Sequence, residues 1–131
     1  MGPVRYLPDT CTLLWHAQQP VQLSPVAVAA LNEPESELFL SDVSLWEISM
    51  KHSAGKLPLP APPRDWIPQK LAWHQIQSLA LTHEAIFRSG EFPRVHPDPF
   101  DRLLTAQAIG SSLVMLSPDQ SLSLPGASRV W

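Results

Sequence analysis

The chain has 131 residues, 44% of them hydrophobic, enough for one sizeable core and too few for two, so residues 1–131 read as a single domain. A net charge of −3 excludes the strongly basic footprint of proteins that hold nucleic acid mainly by counter-ion release, and a lone cysteine, Cys11, excludes both an internal disulfide framework and a cysteine-based zinc site. No apolar run reaches the roughly 18 residues of a membrane-spanning helix, and the start MGPVRYLPDT lacks the apolar stretch of a signal peptide, so the expectation is a soluble, cytoplasmic protein without a membrane partner.

In chain order, residues 4–7 form a short β-prone run, and TLLWHAQQ after Asp9 and Thr10 has helical composition, giving strand then helix. Ser24 followed by Pro25 and VAVAAL supplies a cap and a first-turn proline for a second helix through about residue 31. Residues 38–40 read as a buried strand. Ser41 or Ser44 caps the helix VSLWEISMKHS, with Gly55 as its left-handed terminator. After the proline-rich KLPLPAPPRDW, residues 65–73 are helical, with Pro68 forcing a start near Trp66 or a kink.

Residues 76–81 alternate as a strand, and Thr82 caps HEAIFRSG, which Gly90 closes. A helix over 99–109, with Gly110 just past its end, leads to a strand at 113–116 and an edge strand at 129–131. The order β-α-α-β-α-α-β-α-α-β(-β) predicts a mainly parallel sheet covered by helices.

Ligands of open α/β sheets gather beyond the carboxyl ends of the strands, and Asp9 and Asp119 fall there, while Asp101 lies in the first turn of the last long helix. Glu47 borders the buried stripe of its helix and needs a partner. Each acid also has a plainer reading. Asp98-Pro99-Phe100-Asp101 is a helix start with Asp98 as the cap, Glu47 and Lys51 are an i,i+4 pair, Asp9-Thr10 can cap the first helix, and Asp119 is an ordinary turn residue. Convergence of several acids on one end of one sheet tips the balance. Clustered carboxylates repel unless protonated or neutralised, and hard oxygen ligands select Mg²⁺ or Mn²⁺.

These residues carry a family resemblance. YLPDTCTLLW (6–15), SLWEISMKHSAGKLPLP (44–60) and DPFDRLLTAQA (98–108), with the weaker LVMLSPD (113–119), resemble PIN-domain nucleases, in particular the VapC-like toxins of bacterial and archaeal toxin–antitoxin pairs. The resemblance covers nearly the whole chain and implies a PIN-like α/β/α sandwich. It implies that Asp9, Glu47, Asp101 and Asp119 hold divalent metal at a scissile phosphodiester, with Asp98 as an accessory acid. Thr10, Ser117 and Arg102, next to these acids, are candidates to contact phosphate or orient a ligand. The sequence departs from the family at Pro8, Cys11 and Ser117-Pro118.

The implied function is Mg²⁺-dependent endoribonuclease hydrolysis by a toxin, with RNA as substrate, a cognate antitoxin protein as partner and a homodimer as the assembly. The rival is a catalytically inactive PIN-like module that binds RNA or protein, its acids kept as caps and salt-bridge partners. A receiver-type phosphoacceptor lacks its paired aspartates and its lysine here. Cys11 has only His16 nearby, at i+5, the wrong side of a helix for a hydrogen bond. No histidine pair has metal-ligand spacing, although His96 is of interest because it precedes Asp98. Trp66 and Trp73, seven apart, suggest an apolar helix face for another chain, or two side chains packed on the sheet.

Overall fold

Short strands with apolar residues on both faces demand two covering layers, and the computed structural model, which describes residues 3–93 and 98–131, supplies them. Five strands, β1 (Arg5–Pro8), β2 (Glu37–Ser41), β3 (Ile76–Leu79), β4 (Val114–Leu116) and β5 (Ser128–Val130), form one all-parallel sheet in the order β3-β2-β1-β4-β5. The helices are α1 (Thr10–Gln18), α2 (Pro25–Asn32), α3 (Asp42–Ser53), α4 (Pro63–His74), α5 (His83–Glu91) and α6 (Pro99–Gly110). The element order read from the sequence, with β5 at an edge, is the one observed.

Alternation along the strands splits the core. Leu38, Leu40, Ile76 and Leu116 pack with Leu13, Ala27, Leu31, Ile48 and Trp66 of the helices on one face. Leu7, Phe39 and Met115 point the other way, onto Leu104 and Ala108 of α6. The result is the expected α/β/α sandwich. Among the described residues no helix is long and apolar enough to cross a membrane.

Helix starts follow the capping residues of the sequence. Ser24 Oγ accepts from the Ala27 amide, Ser41 Oγ from Val43, and Thr82 Oγ1 from Ala85. Gly55 ends α3 with φ +72°, as expected. Three helix limits differ. Gly90 lies inside α5, because Phe92, which precedes Pro93, is held extended and sets the stop. Gly110 is the last residue of α6, and Ser112, at φ +55°, makes the left-handed turn that lets Leu113 enter the core. Pro63 starts α4 earlier than expected, as first-turn prolines do, and Pro68 stays inside, on the exposed side where the carbonyl that loses its partner meets water. β3 is two residues shorter than the predicted strand.

Trp66 and Trp73 do not form one face: Trp66 is 4% exposed in the core and Trp73 is 79% exposed. Seven residues of helix bring two positions to similar azimuths, but only the Trp66 turn of α4 is packed into the core. His96 falls outside the described residues.

Candidate active site

Strand order reverses between β1 and β4, and in an open parallel sheet the crevice beyond such a reversal is where ligands sit. Asp9 and Ser117 are the first residues past those two strands. The Asp9 amide donates to the Leu116 carbonyl (3.0 Å), continuing the ladder by one residue, and the chain then turns into α1 with Asp9 as its cap. Asp9 Oδ1 accepts from the Thr12 amide (2.8 Å) and Oδ2 from Ser117 Oγ (2.6 Å).

Asp9 is 7% exposed and has no ion-pair partner among the described residues. Burial pushes its carboxyl above the ordinary aspartate value; the donors Ser117 and Thr12 oppose that, and the charge of Asp119 adds to it. A buried carboxylate with donors but no counter-ion is an electrostatic deficit that a cation would relieve.

Ser117 relays the site outward. Its fully buried hydroxyl also accepts from the Asp119 amide (3.1 Å). Asp119 itself is exposed and caps the short 3₁₀ turn Gln120–Leu122, with Oδ1 accepting from Ser121 N (3.0 Å) and Ser121 Oγ (2.6 Å). The turn reading of Asp119 is therefore fulfilled, and its charge still reaches Asp9.

On the other side, Thr10 Oγ1 donates to Ser44 Oγ (2.9 Å), tying the start of α1 to α3. Ser44 and Glu47 are three apart and share a helix face, so this bond sets Glu47 beside the start of α1. Glu47 is 8% exposed, and its Oε2 accepts from Lys51 Nζ at 2.6 Å. Both readings of Glu47 hold together: it borders the core and it pairs with Lys51.

Ser41 Oγ donates to Gln107 Oε1, and Gln107 Nε2 donates to the Ala80 carbonyl (3.1 Å), which fastens α6 across the ends of β2 and β3. Trp46 and Phe100, the neighbours of Glu47 and Asp101, meet edge to face at 4.9 Å. At the start of α6 the Asp98 carboxylate accepts from the amides of Phe100 (2.9 Å) and Asp101 (3.4 Å), so Asp98 is the cap expected of it. Asp101 lies in that first turn. The Lys51 ammonium, held above its ordinary value first by its hydrogen bond to Glu47, also feels the charges of Asp98 and Asp101, which locates these acids around one cation.

Arg102 bonds to the end of α5. Its guanidinium donates to the carbonyls of Ser89 (3.0 Å), Phe92 (2.9 Å) and Pro93 (2.9 Å), where it satisfies the orphan acceptors at the end of α5. Partial burial and then the Asp9 charge push the Cys11 thiol up to about 11, which leaves little thiolate near neutral pH. Sequence reasoning missed Thr12 and Gln107, and it read Ser41 and Ser44 only as alternative caps of α3. A hydroxyl three residues from each of Asp9 and Glu47 was the available signal for Thr12 and Ser44; nothing in the sequence marked the pairing of Ser41 with Gln107.

In kind the side chains are the hard oxygen donors that Mg²⁺ or Mn²⁺ prefers: Asp9, buried, feels the charge of Asp119, and Lys51 beside Glu47 feels those of Asp98 and Asp101. Among the described residues no group of three or more His, Cys, Asp or Glu side chains is arranged to hold a metal ion. Mg²⁺ does not require one, because it keeps most of its waters and binds through one or two carboxylates and substrate phosphate.

No family model matches the chain, and no curated protein does. Solved structures do. A chain of VapBC2 from Rickettsia felis, bound to a DNA fragment from its promoter, aligns with TM-score 0.70 and 12% identity over 97% of this chain and 98% of that one. A chain of the DNA-bound VapBC of Salmonella typhimurium aligns with TM-score 0.65 and 18% identity over 97% of each chain. A toxin–antitoxin complex from Klebsiella pneumoniae gives 0.58 and 16% over 96% of each. At such identities the likeness is one of fold: over nearly its full length this chain has the α/β/α architecture of the VapBC proteins, the PIN-like fold that its sequence resembles.

Proposed function

We propose that the chain is a divalent-metal-dependent endoribonuclease and the toxin of a toxin–antitoxin pair. The observation that carries this reading is Asp9: a buried carboxylate, desolvated and without a counter-ion, at the crevice where the strand order reverses. Asp9, Glu47 and Asp101 would hold Mg²⁺ or Mn²⁺ directly or through water, with Asp119 as a fourth ligand or an acceptor behind them. When bound, the ion would polarise a phosphodiester and lower the pKa of a water, so that hydroxide is available as the nucleophile near neutral pH.

The chain's own residues do the rest. Ser117 and the Thr12 amide hold the two oxygens of Asp9 in fixed directions, Thr10 and Ser44 tie α1 to α3, and Asp98 starts α6, whose first turn carries Asp101. RNA as substrate, an antitoxin protein covering the cleft, a homodimer, one domain spanning 1–131 and a cytoplasmic site belong to this proposal. A toxin–antitoxin complex among the similar structures supports the antitoxin.

Asp9→Asn and Asp101→Asn test it. Each should reduce Mg²⁺-dependent RNA cleavage by at least about 100-fold, since loss of a ligand exceeds the 10–100-fold cost of losing an outer-shell partner. Asparagine still caps a helix, so the fold should persist. Cleavage retained in both variants would refute the proposal.

One observation favours a second reading, a PIN-like binding module without catalysis. Asp9, Asp98 and Asp119 all cap helical turns, and Glu47 already has Lys51. That reading expects no Mg²⁺ dependence and no change in melting temperature on adding Mn²⁺.

A further inference from the structure

Trp46 of α3 is 53% exposed, although Val43 and Ile48 of the same helix are buried. An indole left in water forgoes the large apolar area that usually carries tryptophan inside. Its orientation is nevertheless held by the ring of Phe100, which meets it at 4.9 Å and 64°. An edge-to-face contact engages at most one face of each ring, and among the described residues no second ring and no cation stacks on Trp46. One face of a fixed, half-exposed indole is therefore without an aromatic or cationic partner. Trp46 precedes Glu47, and Phe100 stands between Asp98 and Asp101, so the pair bridges α3 and α6 beside the acids. Leu45, also exposed, lines a groove against α4 instead, so Leu45 and Trp46 do not share one docking face.

Charge limits what can lie there. With a net charge of −3, and with Glu47, Asp98 and Asp101 next to the two rings, a phosphate alone gains little by approaching. A π-face attracts a nucleobase without regard to charge, and every unpaired base offers such a face. Resting on the reading of the cleft above, we propose that Trp46 is a stacking platform for an unpaired base of single-stranded RNA laid along the cleft, with Phe100 setting the tilt of the indole. The platform makes the chain prefer single strands, because the bases of a duplex are already stacked on one another. It discriminates little between bases, since stacking reads a face and not an edge.

Anisotropy of a short labelled oligoadenylate, titrated with the whole chain in EDTA, tests the proposal without any cleavage. Trp46→Ala should bind it about 5- to 150-fold more weakly than the parent, the value of one stacked base, and Trp46→Phe should keep most of the affinity. The loss should be the same factor at about 50 and about 200 mM salt, because an indole releases no counter-ion, and it should vanish when the strand is paired with its complement. Trp73→Ala, which removes an exposed ring beside the histidine-lined cavity, should bind as the parent does. No RNA binding by the parent, or an equal loss on the duplex, overturns the proposal. Unchanged affinity in Trp46→Ala overturns it too and assigns the exposed ring to a protein partner. Mg²⁺-dependent cleavage, measured alongside, separates the two readings. If the parent cleaves and Asp9→Asn does not, the nuclease reading stands whatever Trp46 does; if the parent cleaves nothing but Trp46→Ala loses strand binding, the platform stands on the binding module described above.

Discussion

At the carboxyl ends of β1 and β4 an acid is buried among hydrogen-bond donors, while at the opposite ends of β2 and β3 two half-buried histidines pack against each other. His16 and His74 lie near the last turns of α1 and α4, their rings 4.2 Å apart, and line a cavity of about 220 Å³ with Asn32, Glu33, Ser36 and Gln75. Burial lowers both, His16 to about 4; His74 adds to that for His16, and the Lys70 charge for His74. His74 Nε2 is buried without a partner among the described residues. At Asp9 the donors sustain the charged form against burial, whereas nothing recorded at the histidines sustains theirs. The two ends differ in those donors more than in the desolvation that both share.

Breaking the polar frame of the acidic end should have the largest effect on stability. Gln107→Leu leaves the buried Ser41 hydroxyl without its acceptor, which costs about 1–3 kcal/mol, and removes the donor to the Ala80 carbonyl, a group on an exposed residue that water can partly satisfy. A loss of about 2–3 kcal/mol in a denaturant titration is expected. A loss under about 1 kcal/mol would show that this edge does not depend on its polar links.

Ser117→Ala sharpens the contrast at Asp9 itself. It removes a hydrogen bond to a carboxylate, about 1.5–3 kcal/mol, and with it the strongest influence opposing burial. The Asp9 carboxyl carbon, followed by NMR, should titrate at higher pH than in the parent, and Mn²⁺ affinity should fall about 10–100-fold. An Asp9 titration that does not move would mean the hydroxyl is a bystander.

Most of the fold was legible because its signals are local. Ser24-Pro25, Ser41, Thr82 and Asp98-Pro99 mark helix starts, and short apolar runs between them leave little choice but buried parallel strands. The limits that differ are those where a competing residue took over, as Pro93 did from Gly90 and Ser112 from Gly110. Asp9 and Ser117 are 108 residues apart and meet only because β1 and β4 are neighbours, so their bond had no sequence signature even though each residue was singled out. Arg102 shows the reverse: adjacency to Asp101 suggested a phosphate contact, but its fork reaches back to α5. The histidine pair, 58 positions apart on two helices, was invisible to spacing rules altogether.

The smallest effect belongs to that pair, and its sign separates the two ends of the sheet. Histidines held below their ordinary value bind protons less readily than in the unfolded chain, so their contribution is intact above about pH 6.5 and is lost as pH falls toward about 4. Asp9 works the other way: raised above its ordinary value, it holds its proton more tightly when folded, and stability declines as pH rises from about 3.8 through its folded value. In metal-free Asp9→Asn only the histidine limb should remain, with melting temperature rising steadily from pH 4.5 to 7. Adding His16→Phe, which keeps a ring against His74, should flatten most of that rise, a difference on the order of 1 kcal/mol once solvent screening of half-exposed rings is allowed for. An acid limb that survives His16→Phe undiminished would place the proton uptake elsewhere and leave His16 and His74 as packing alone.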